Sequence, residues 1–301
     1  MTPDRIREAS RRLAAFVQPT PLVRALLLSR DLGCELWVKN ETVSPIASFK
    51  WRGALTAIDG TSSVVTSSTG NHGQGVAWAA AVRGVAAHVF LPHGANPTKR
   101  AKIELLGATI HDTGNDLDEA KDAATAFATS AGLPMIDDGE SEDVITGAGT
   151  VGIEIDIEPD VVFVPMGSGS LASGIAIALP NARVIAVQSK GSPAMVESFH
   201  ARRAIERPID TVADGLVCRV PAKLALDTLI AHADDAFAVP DDELLAAARS
   251  MILGAHILVE PSGAAGLAGA LRRREEIRGK RVAVIATGAN VTAEVFRRFH
   301  G

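Results

Sequence analysis

One lysine of this sequence lies in surroundings that could make it a chemical reagent. Lys50 stands between Phe49 and Trp51, in the segment Ala-Ser-Phe-Lys-Trp-Arg-Gly-Ala of residues 47–54. Most lysines are solvated surface charges. An apolar neighbourhood instead desolvates the ammonium and makes the amine available for a Schiff base with a carbonyl compound. Lys50 is therefore a candidate catalytic residue, with an ordinary surface lysine as the alternative interpretation.

A glycine- and serine-rich loop follows a strongly apolar run at residues 161–166. The loop reads Gly167-Ser168-Gly169-Ser170 and leads into a segment of small residues that is typical of a helix. Glycines let backbone N–H groups approach an anion, and a helix N-terminus adds partial positive charge. We therefore expect a phosphate site here, with a tight turn that binds nothing as the alternative.

The same loop also fits the dinucleotide-binding pattern, because Gly167, Gly169 and Ala172 occupy its three small positions. That interpretation requires an acidic residue about 20 positions further on to hold a ribose. Gln188 stands there instead. The sequence therefore disfavours a nicotinamide cofactor, and a nucleotide-binding oxidoreductase remains a distant alternative.

A second polar loop follows the apolar run at residues 64–66. It carries Ser67, Ser68, Thr69, Asn71 and His72 before the next predicted helix. Hydroxyl and amide groups at a helix N-terminus favour an anion, here a carboxylate. A capped turn is the alternative, but a cap needs only one or two such residues.

The elements that must position these loops alternate between strands and helices. Short β-branched runs predict strands at residues 35–39, 63–67, 87–91, 109–112, 160–165, 183–188 and 281–286. Alanine-rich segments predict helices at 73–83, 97–106, 116–131, 171–179, 241–254 and 262–274. The alternation indicates α/β architecture with parallel sheets covered by helices on both faces. Residues 137–142 form the most loop-like stretch and are a candidate crossover.

Composition limits the chemistry and the partners. The 301 residues contain no tyrosine, so no tyrosine can serve as acid, base or stacking ring. A net charge of −5 gives no reason to bind nucleic acid or an anionic membrane. Two distant cysteines, Cys34 and Cys218, predict buried free thiols in a reducing compartment. With no signal-peptide or membrane-spanning pattern, we expect a cytoplasmic protein.

Several motifs in order resemble the serine/threonine dehydratase and serine racemase family of fold type II pyridoxal-phosphate (PLP) enzymes. The motifs are Ser48-Phe49-Lys50 with Arg52-Gly53-Ala54, the loop at residues 68–73, the loop Gly167-Ser168-Gly169-Ser170-Leu171, Ala213-Asp214-Gly215, Glu260-Pro261-Ser262-Gly263-Ala264 and Thr287-Gly288-Ala289-Asn290. The resemblance covers the chain from about residue 19 to residue 290.

The resemblance implies a role for each matching residue. Lys50 holds the cofactor as a Schiff base and then acts as the base, while Thr287 faces the pyridine nitrogen. Asn71 contacts the 3-hydroxyl of the cofactor. The remaining cofactor-binding residues are Phe49, Gly167, Ser168, Gly169, Ser170, Leu171 and Glu260. The substrate carboxylate is bound by Ser68, Thr69, Asn71 and His72.

The resemblance also implies two three-layer, parallel-sheet domains of the tryptophan synthase beta-like type. A large PLP-binding domain is expected over residues 1–55 and 143–301, with a small mobile domain inserted over residues 56–142, and a homodimer is the family's usual assembly. The implied function is a PLP-dependent ammonia-lyase that converts a 3-hydroxy amino acid, such as L-threonine or L-serine, to a 2-oxo acid and ammonia. The alternatives are an amino acid racemase and a β-replacement enzyme.

Three departures from the family pattern bear on function. The family's usual Pro-Thr-Gly-Ser before Phe-Lys is Pro45-Ile46-Ala47-Ser48 here. Racemases of the family carry serine at the position of Thr69, where it serves as a second acid or base, whereas dehydratases commonly carry alanine. The divalent-metal site of the racemases has lost its ligands here, with Gln188 at the glutamate position and Ser192 and Ala194 at its neighbours, so we expect no bound metal.

Overall fold

A computed structural model describes residues 1–300 and contains two sheets. The larger sheet has six strands in the spatial order β1-β2-β9-β6-β7-β8, and the smaller has three in the order β3-β4-β5. Every pair of neighbouring strands is parallel except β1 and β2. In chain order the strands are β1 (Leu22–Arg24), β2 (Glu35–Asn40), β3 (Ser63–Ser67), β4 (Ala86–Leu91), β5 (Thr109–Asp112), β6 (Val161–Pro165), β7 (Arg183–Ser189), β8 (Asp235–Val239) and β9 (Arg281–Ala286).

Thirteen α-helices cover the sheets within residues 1–300. They are α1 (Pro3–Leu13), α2 (Leu26–Leu32), α3 (Trp51–Ala57), α4 (Asn71–Arg83), α5 (Pro97–Leu105), α6 (Leu117–Ala131), α7 (Glu142–Ile153), α8 (Ser170–Ala178), α9 (Ala194–Ala201), α10 (Lys223–His232), α11 (Asp241–Ala255), α12 (Ala265–Arg272) and α13 (Ala293–His300). No helix in this part of the chain is long and apolar enough to cross a membrane.

Alternation along β6 shows how the larger sheet is buried on both faces. Val161 and Phe163 belong to one hydrophobic cluster, which includes residues of α2, α11 and α12. Val162 and Val164 belong to a second cluster, which includes residues of α8 and α10. Successive side chains of a strand point to opposite faces, so helices cover both sides of this sheet. The predicted α/β class is confirmed.

The predicted strands and helices agree with the structure to within one or two residues, with several additions. The sequence did not indicate β1, β8, α2, α3, α7, α9 or α10. The segment predicted as one helix over residues 262–274 divides into a 3₁₀ turn at Pro261–Ala264, the helix α12 and a second 3₁₀ turn at Arg274–Ile277.

Helix α7 illustrates why a buried helix escapes a search for amphipathic patterns. All nine residues from Val144 to Gly152 are buried, so the helix has no polar face to mark its period. Its glycines allow close packing, since a Cβ on Gly147 would lie 2.4 Å from the backbone oxygen of Arg52. A Cβ on Gly149 would lie 2.8 Å from the backbone oxygen of Gly174 in α8. Helix α7 therefore packs closely between α3, which follows Lys50, and α8.

The smaller sheet and helices α4, α5 and α6 all lie within residues 56–142. The isolated parallel bridge between Val65 and Met135 adds residue 135 to the edge of β3. The division of the chain at residues 56 and 142 into domains, and the mobility of the smaller one, stay predictions.

Candidate active site

Lys50 is fixed by its neighbours immediately before helix α3. The backbone N–H of Phe49 donates to the backbone oxygen of Thr287, 3.1 Å away at the end of β9. Ser48 is fully buried and is tied to the side chain of Ser44 by both its N–H and its C=O, at 2.9 and 2.8 Å. Helix α4 approaches closely from the other side, because a Cβ on Gly75 would lie 2.9 Å from the backbone oxygen of Lys50.

The conformation of Ala47 is unusual for an alanine. Its φ is +51°, in the left-handed region that favours glycine. The strained residue is held by two backbone hydrogen bonds, from its N–H to Ser44 and from the N–H of Ala289 to its oxygen. Glycine is the residue that the family pattern shows here, so the substitution has kept the backbone shape at an energetic cost.

The loop after β6 has the geometry of an anion cradle. It runs from Met166 to Gly169, where φ is +97°, and helix α8 begins at Ser170. A Cβ on Gly167 would lie 2.7 Å from the backbone oxygen of Gly215, so only glycine fits there. The N-terminus of α8 presents its unpaired N–H groups and its partial positive charge to this loop.

A pocket joins the lysine to this cradle. It is lined by Phe49, Lys50 and Thr287 together with the loop residues Gly167, Ser168, Gly169, Ser170 and Leu171. The ammonium of Lys50 lies 4.8 Å from the centre of the Phe49 ring. Trp51, its other aromatic neighbour, turns away and is buried against Trp78, with ring centres 5.8 Å apart. The structure thus brings together most of the residues predicted to bind the cofactor.

A carboxylate that the sequence analysis did not single out as functional also reaches this pocket. Asp138 forms an ion pair with Lys50 and accepts hydrogen bonds from Ser168 Oγ at 2.8 Å and Ser170 Oγ at 3.0 Å. Burial alone would raise the pKa of Asp138, but the charges of Lys50 and His72 and the hydrogen bonds from Lys50 and Ser168 bring it below its ordinary value. The ammonium of Lys50 therefore has an ionic partner and not the purely apolar surroundings that its flanking residues suggested.

The polar loop after β3 lies next to this carboxylate. Ser68 Oγ accepts a hydrogen bond from the N–H of Gly70 at 3.2 Å, and Thr69 is half-buried. His72 is buried, with Nε2 3.0 Å from the backbone oxygen of Ile136 and Nδ1 3.7 Å from Asp138. The substrate-binding roles of Ser68, Thr69, Asn71 and His72 stay predictions.

Asn71 connects this loop to Glu260, the acidic residue predicted at the cofactor. Its side-chain amide donates to Glu260 Oε1 at 2.7 Å and accepts from Asn290 Nδ2 at 2.7 Å. Glu260 is 3% exposed, and burial raises the pKa of its carboxyl group. Lys102 donates to Asn290 at 2.8 Å, so the network continues from the pocket to helix α5.

A buried ionic cluster holds helix α3 behind the lysine. The guanidinium of Arg52 donates to both carboxylate oxygens of Glu41, each at 2.9 Å, and to those of Glu154 at 2.6 and 2.8 Å. Lys39 completes the cluster through Glu154 at 2.6 Å. Arg52 is 1% exposed. Arg52 stands two positions after Lys50 and cannot shift without breaking several charged hydrogen bonds, so the cluster holds the start of α3 in place.

The two cysteines do not offer a nucleophile. Burial raises the pKa of Cys34 to about 11 and that of Cys218 to about 12. A thiol must ionise to attack, and neither does so near neutral pH. Both are free and buried, as predicted.

Gln188 and Ser192, which stand where racemases of the family bind a metal, bond instead to the protein backbone. Gln188 Oε1 accepts from the N–H of Val196 at 3.1 Å. Ser192 Oγ accepts from the N–H of Cys218 at 2.8 Å. The absence of a metal stays a prediction.

A primary amine and an anion cradle that line one pocket suit a phosphorylated carbonyl compound. The sequence of residues 13–288 matches the family model described as pyridoxal-phosphate dependent enzyme, and the chain belongs to that family. It is 34% identical to L-threonine ammonia-lyase of Thermotoga maritima over 316 residues, covering 99% of this chain and 78% of the relative.

Two further comparisons agree. L-threo-3-hydroxyaspartate ammonia-lyase of Saccharomyces cerevisiae is 29% identical over 300 residues, covering 95% of this chain and 92% of the relative. The structure of maize serine racemase superposes with a TM-score of 0.92 at 30% identity, covering 99% and 96% of the two chains. The fold is therefore that of a fold type II PLP enzyme, and the chain is a PLP-dependent enzyme that takes a small-molecule substrate.

The residues present fit this cofactor at three points. The positive φ of Gly169 and the missing Cβ of Gly167 open a cradle in which backbone N–H groups can bind a phosphate. Lys50 supplies the amine that the aldehyde needs, and Thr287 lines the same pocket. Family membership favours the phosphate interpretation of residues 167–172 over the dinucleotide one.

Proposed function

We propose that this chain is an ammonia-lyase that removes the β-hydroxyl group of a 3-hydroxy amino acid, L-threonine or L-serine, and yields a 2-oxo acid and ammonia. The observation that carries the proposal is the position of Lys50, whose amine shares one pocket with the glycine–serine cradle and Thr287. Relatives named L-threonine ammonia-lyase that cover most of both chains support the same reaction.

Each group of the site then has a defined task. Lys50 would hold the cofactor through its amine, and that amine, once free, would take the proton from Cα of the substrate. The N–H groups of residues 167–171 bind the phosphate at the N-terminus of α8. Ser68, Thr69, Asn71 and His72 bind the substrate carboxylate at the N-terminus of α4, where the helix favours an anion. When bound, PLP supplies an electron sink for the bonds broken at Cα.

Thr287 favours elimination over slower reactions of the same cofactor. If Thr287 faces the pyridine nitrogen, as the resemblance implies, its neutral hydroxyl group would stabilise a positive charge there less than a carboxylate would. Bound PLP would then supply a weaker electron sink, which would favour prompt loss of the β-hydroxyl group over reactions that need a long-lived negative charge at Cα. Water hydrolyses the released product to the 2-oxo acid and ammonia.

Thr69 supports a second candidate, amino acid racemisation. It carries a hydroxyl group on the loop predicted to face the substrate, at the position where racemases of the family have serine. The added methyl group restricts the side chain, since β-branched residues have few rotamers. We therefore place racemisation second to elimination.

The experiment is an assay of the purified chain with added PLP. Formation of 2-oxo acid from L-threonine, L-serine and L-threo-3-hydroxyaspartate is measured beside formation of the opposite enantiomer. We expect 2-oxo acid from a hydroxy amino acid, and loss of that activity in Lys50→Ala. Interconversion of enantiomers without 2-oxo acid would instead support the racemase.

Three further expectations accompany the proposal. If residues 56–142 form a small mobile domain, protease sensitivity within these residues should change when substrate binds. A homodimer is the assembly implied by the resemblance, and light scattering of the purified chain tests it. A cytoplasmic location is proposed from the composition and is tested by fractionation of cells.

A further inference from the structure

Asp138 contacts the groups that the proposed function assigns to the cofactor. Its carboxylate forms an ion pair with Lys50 and accepts from the hydroxyls of Ser168 and Ser170, at 2.8 and 3.0 Å. Two of these partners belong to the phosphate cradle, and the third is the amine expected to bind the aldehyde. The side chain of Asp138 is 22% exposed, so little water separates it from them.

A carboxylate in this position competes with a phosphate for the same partners. Each serine hydroxyl has a single hydrogen to donate. A hydrogen bond given to Asp138 is therefore withheld from a phosphate in the cradle. The two anions also repel each other, and this repulsion is stronger in a partly buried pocket than in water.

The backbone on both sides of Asp138 keeps it in place. Two positions before it, the backbone oxygen of Ile136 accepts from Thr66 Oγ1 at 2.8 Å, and the N–H of Ile136 donates to the backbone oxygen of Val65 at 2.8 Å, both in β3. On the other side, the backbone oxygen of Gly139 accepts from the N–H of Ala225 in α10 at 3.1 Å. The segment thus connects the smaller sheet to a helix of the larger one, and these bonds hold the backbone of Asp138 beside the cradle.

We propose that Asp138 opposes the binding of the cofactor's phosphate group, and so sets how tightly this enzyme holds PLP. The proposal rests on the proposed function, because it assumes that the cradle and Lys50 bind the cofactor. Backbone N–H groups and the α8 dipole attract the phosphate, and Asp138 reduces that attraction. Removing its charge should therefore strengthen binding of the phosphorylated cofactor.

The test measures the dissociation constant for PLP with the full chain after its cofactor has been dialysed away. Binding is followed by absorbance, without turnover. Asp138→Asn keeps one acceptor oxygen for a cradle serine, replaces the other oxygen with an NH2 group and removes the charge, and we expect its dissociation constant to fall at least about tenfold. Asp138→Ala is the second variant, and circular dichroism establishes that each is folded.

Pyridoxal, which lacks the phosphate, is the matched probe. Asp138→Asn frees Lys50 for both compounds but relieves repulsion only for the phosphorylated one, so the gain should be larger for PLP than for pyridoxal. The control is Asp137→Asn. Asp137 pairs with Lys121 at 2.6 Å and accepts from the N–H of Gly139, so it lies outside the cradle, and we expect unchanged PLP affinity.

Three outcomes would overturn the proposal. PLP affinity that is unchanged or weaker in both Asp138 variants would show that the carboxylate does not oppose the phosphate. Equal gains for PLP and pyridoxal would show that Asp138 acts on Lys50 alone. An equal gain in PLP affinity in Asp137→Asn would show that the effect comes from the net charge of the protein and not from the position of Asp138. Failure of the wild-type chain to bind PLP would instead contradict the cofactor assignment itself.

Discussion

The side-chain amide of Asn71 donates a 2.7 Å hydrogen bond to the buried carboxyl group of Glu260. Asn71 begins helix α4 beside the smaller sheet, and Glu260 precedes the 3₁₀ turn that leads to α12 on the larger sheet. This single contact therefore joins the loop predicted to bind substrate to the sheet that carries the phosphate cradle. Asn290 reinforces it by donating to Asn71 at 2.7 Å.

Glu260→Gln should stabilise the protein at neutral pH. Burial raises the pKa of Glu260, so the folded state holds its proton more tightly than the unfolded chain. Stability is then lost as pH rises above the ordinary value of 4.5 towards the raised folded value. Glutamine keeps the acceptor for Asn71 and has no charge to desolvate, so we expect a gain on the order of 1 kcal/mol. Denaturant unfolding at neutral pH and near pH 4.5 measures it.

The matched control for this change is Glu243→Gln, whose carboxylate is 39% exposed. Its free energy of unfolding should change little. A Glu260→Gln variant less stable than the wild type at neutral pH would show that the carboxylate is ionised and needed in the fold.

Ala47→Gly should also stabilise the protein. The left-handed conformation costs an alanine about 1–2 kcal/mol, and glycine avoids this cost but loses about 0.5–1 kcal/mol through its freer unfolded chain. The net gain should be roughly 0.5–1 kcal/mol. Ala126→Gly on the exposed face of α6 is the control and should lose about 1 kcal/mol. Thermal unfolding measures both variants. An equal loss of stability in Ala47→Gly and Ala126→Gly would show that Ala47 is not strained.

Arg52→Leu should destabilise the protein strongly. It leaves Glu41 and Glu154 buried without their main partner, and such a loss costs about 3–5 kcal/mol. Burial would raise the pKa of Glu154, but its bonds to Arg52 bring it below 4.5, so its contribution is present above that value and is lost as pH falls through the lowered one. Urea unfolding should therefore show a deficit that narrows in acid.

The surface pair of Arg272 and Glu243, at 2.5 Å, provides the comparison for Arg52. Arg272→Leu should cost less than about 1 kcal/mol, because an exposed pair gains little. A similar small loss in Arg52→Leu would contradict the structural role of the buried cluster.

Thr69 should control racemisation and not elimination. Thr69→Ala removes the hydroxyl group that could exchange a proton on the face opposite Lys50, so 2-oxo acid formation should persist while any racemisation disappears. Thr69→Ser keeps the hydroxyl group without the methyl group and should increase racemisation. Chiral chromatography beside a 2-oxo acid assay measures both. Unchanged racemisation in Thr69→Ala would exclude the hydroxyl as the second acid or base.

The parts of the site that the sequence predicted are those built from consecutive residues. The glycine–serine cradle, the loop at residues 67–72 and Lys50 each combine a strand or helix end with local chemistry that a motif records. Their meeting in one pocket followed from the family resemblance and from the parallel sheets, whose carboxyl ends lie at a common edge.

The residues that escaped prediction act through distant contacts. Asp138 lies in the stretch predicted only as a crossover, and its role depends on partners 30, 32 and 88 positions away. A carboxylate pair directly after the strand-like residues 134–136 was the available signal. Strand β1 was missed because its three residues are too few to show alternation.

The most direct test of the central claim locates the cofactor on the chain. The purified enzyme is loaded with PLP, reduced with borohydride, digested, and mapped by mass spectrometry. We predict that the phosphopyridoxyl group is found on Lys50, and that Lys50→Ala carries none and forms no 2-oxo acid from L-threonine or L-serine. Attachment to Lys39, Lys99 or another lysine, or elimination that persists in Lys50→Ala, would contradict the account.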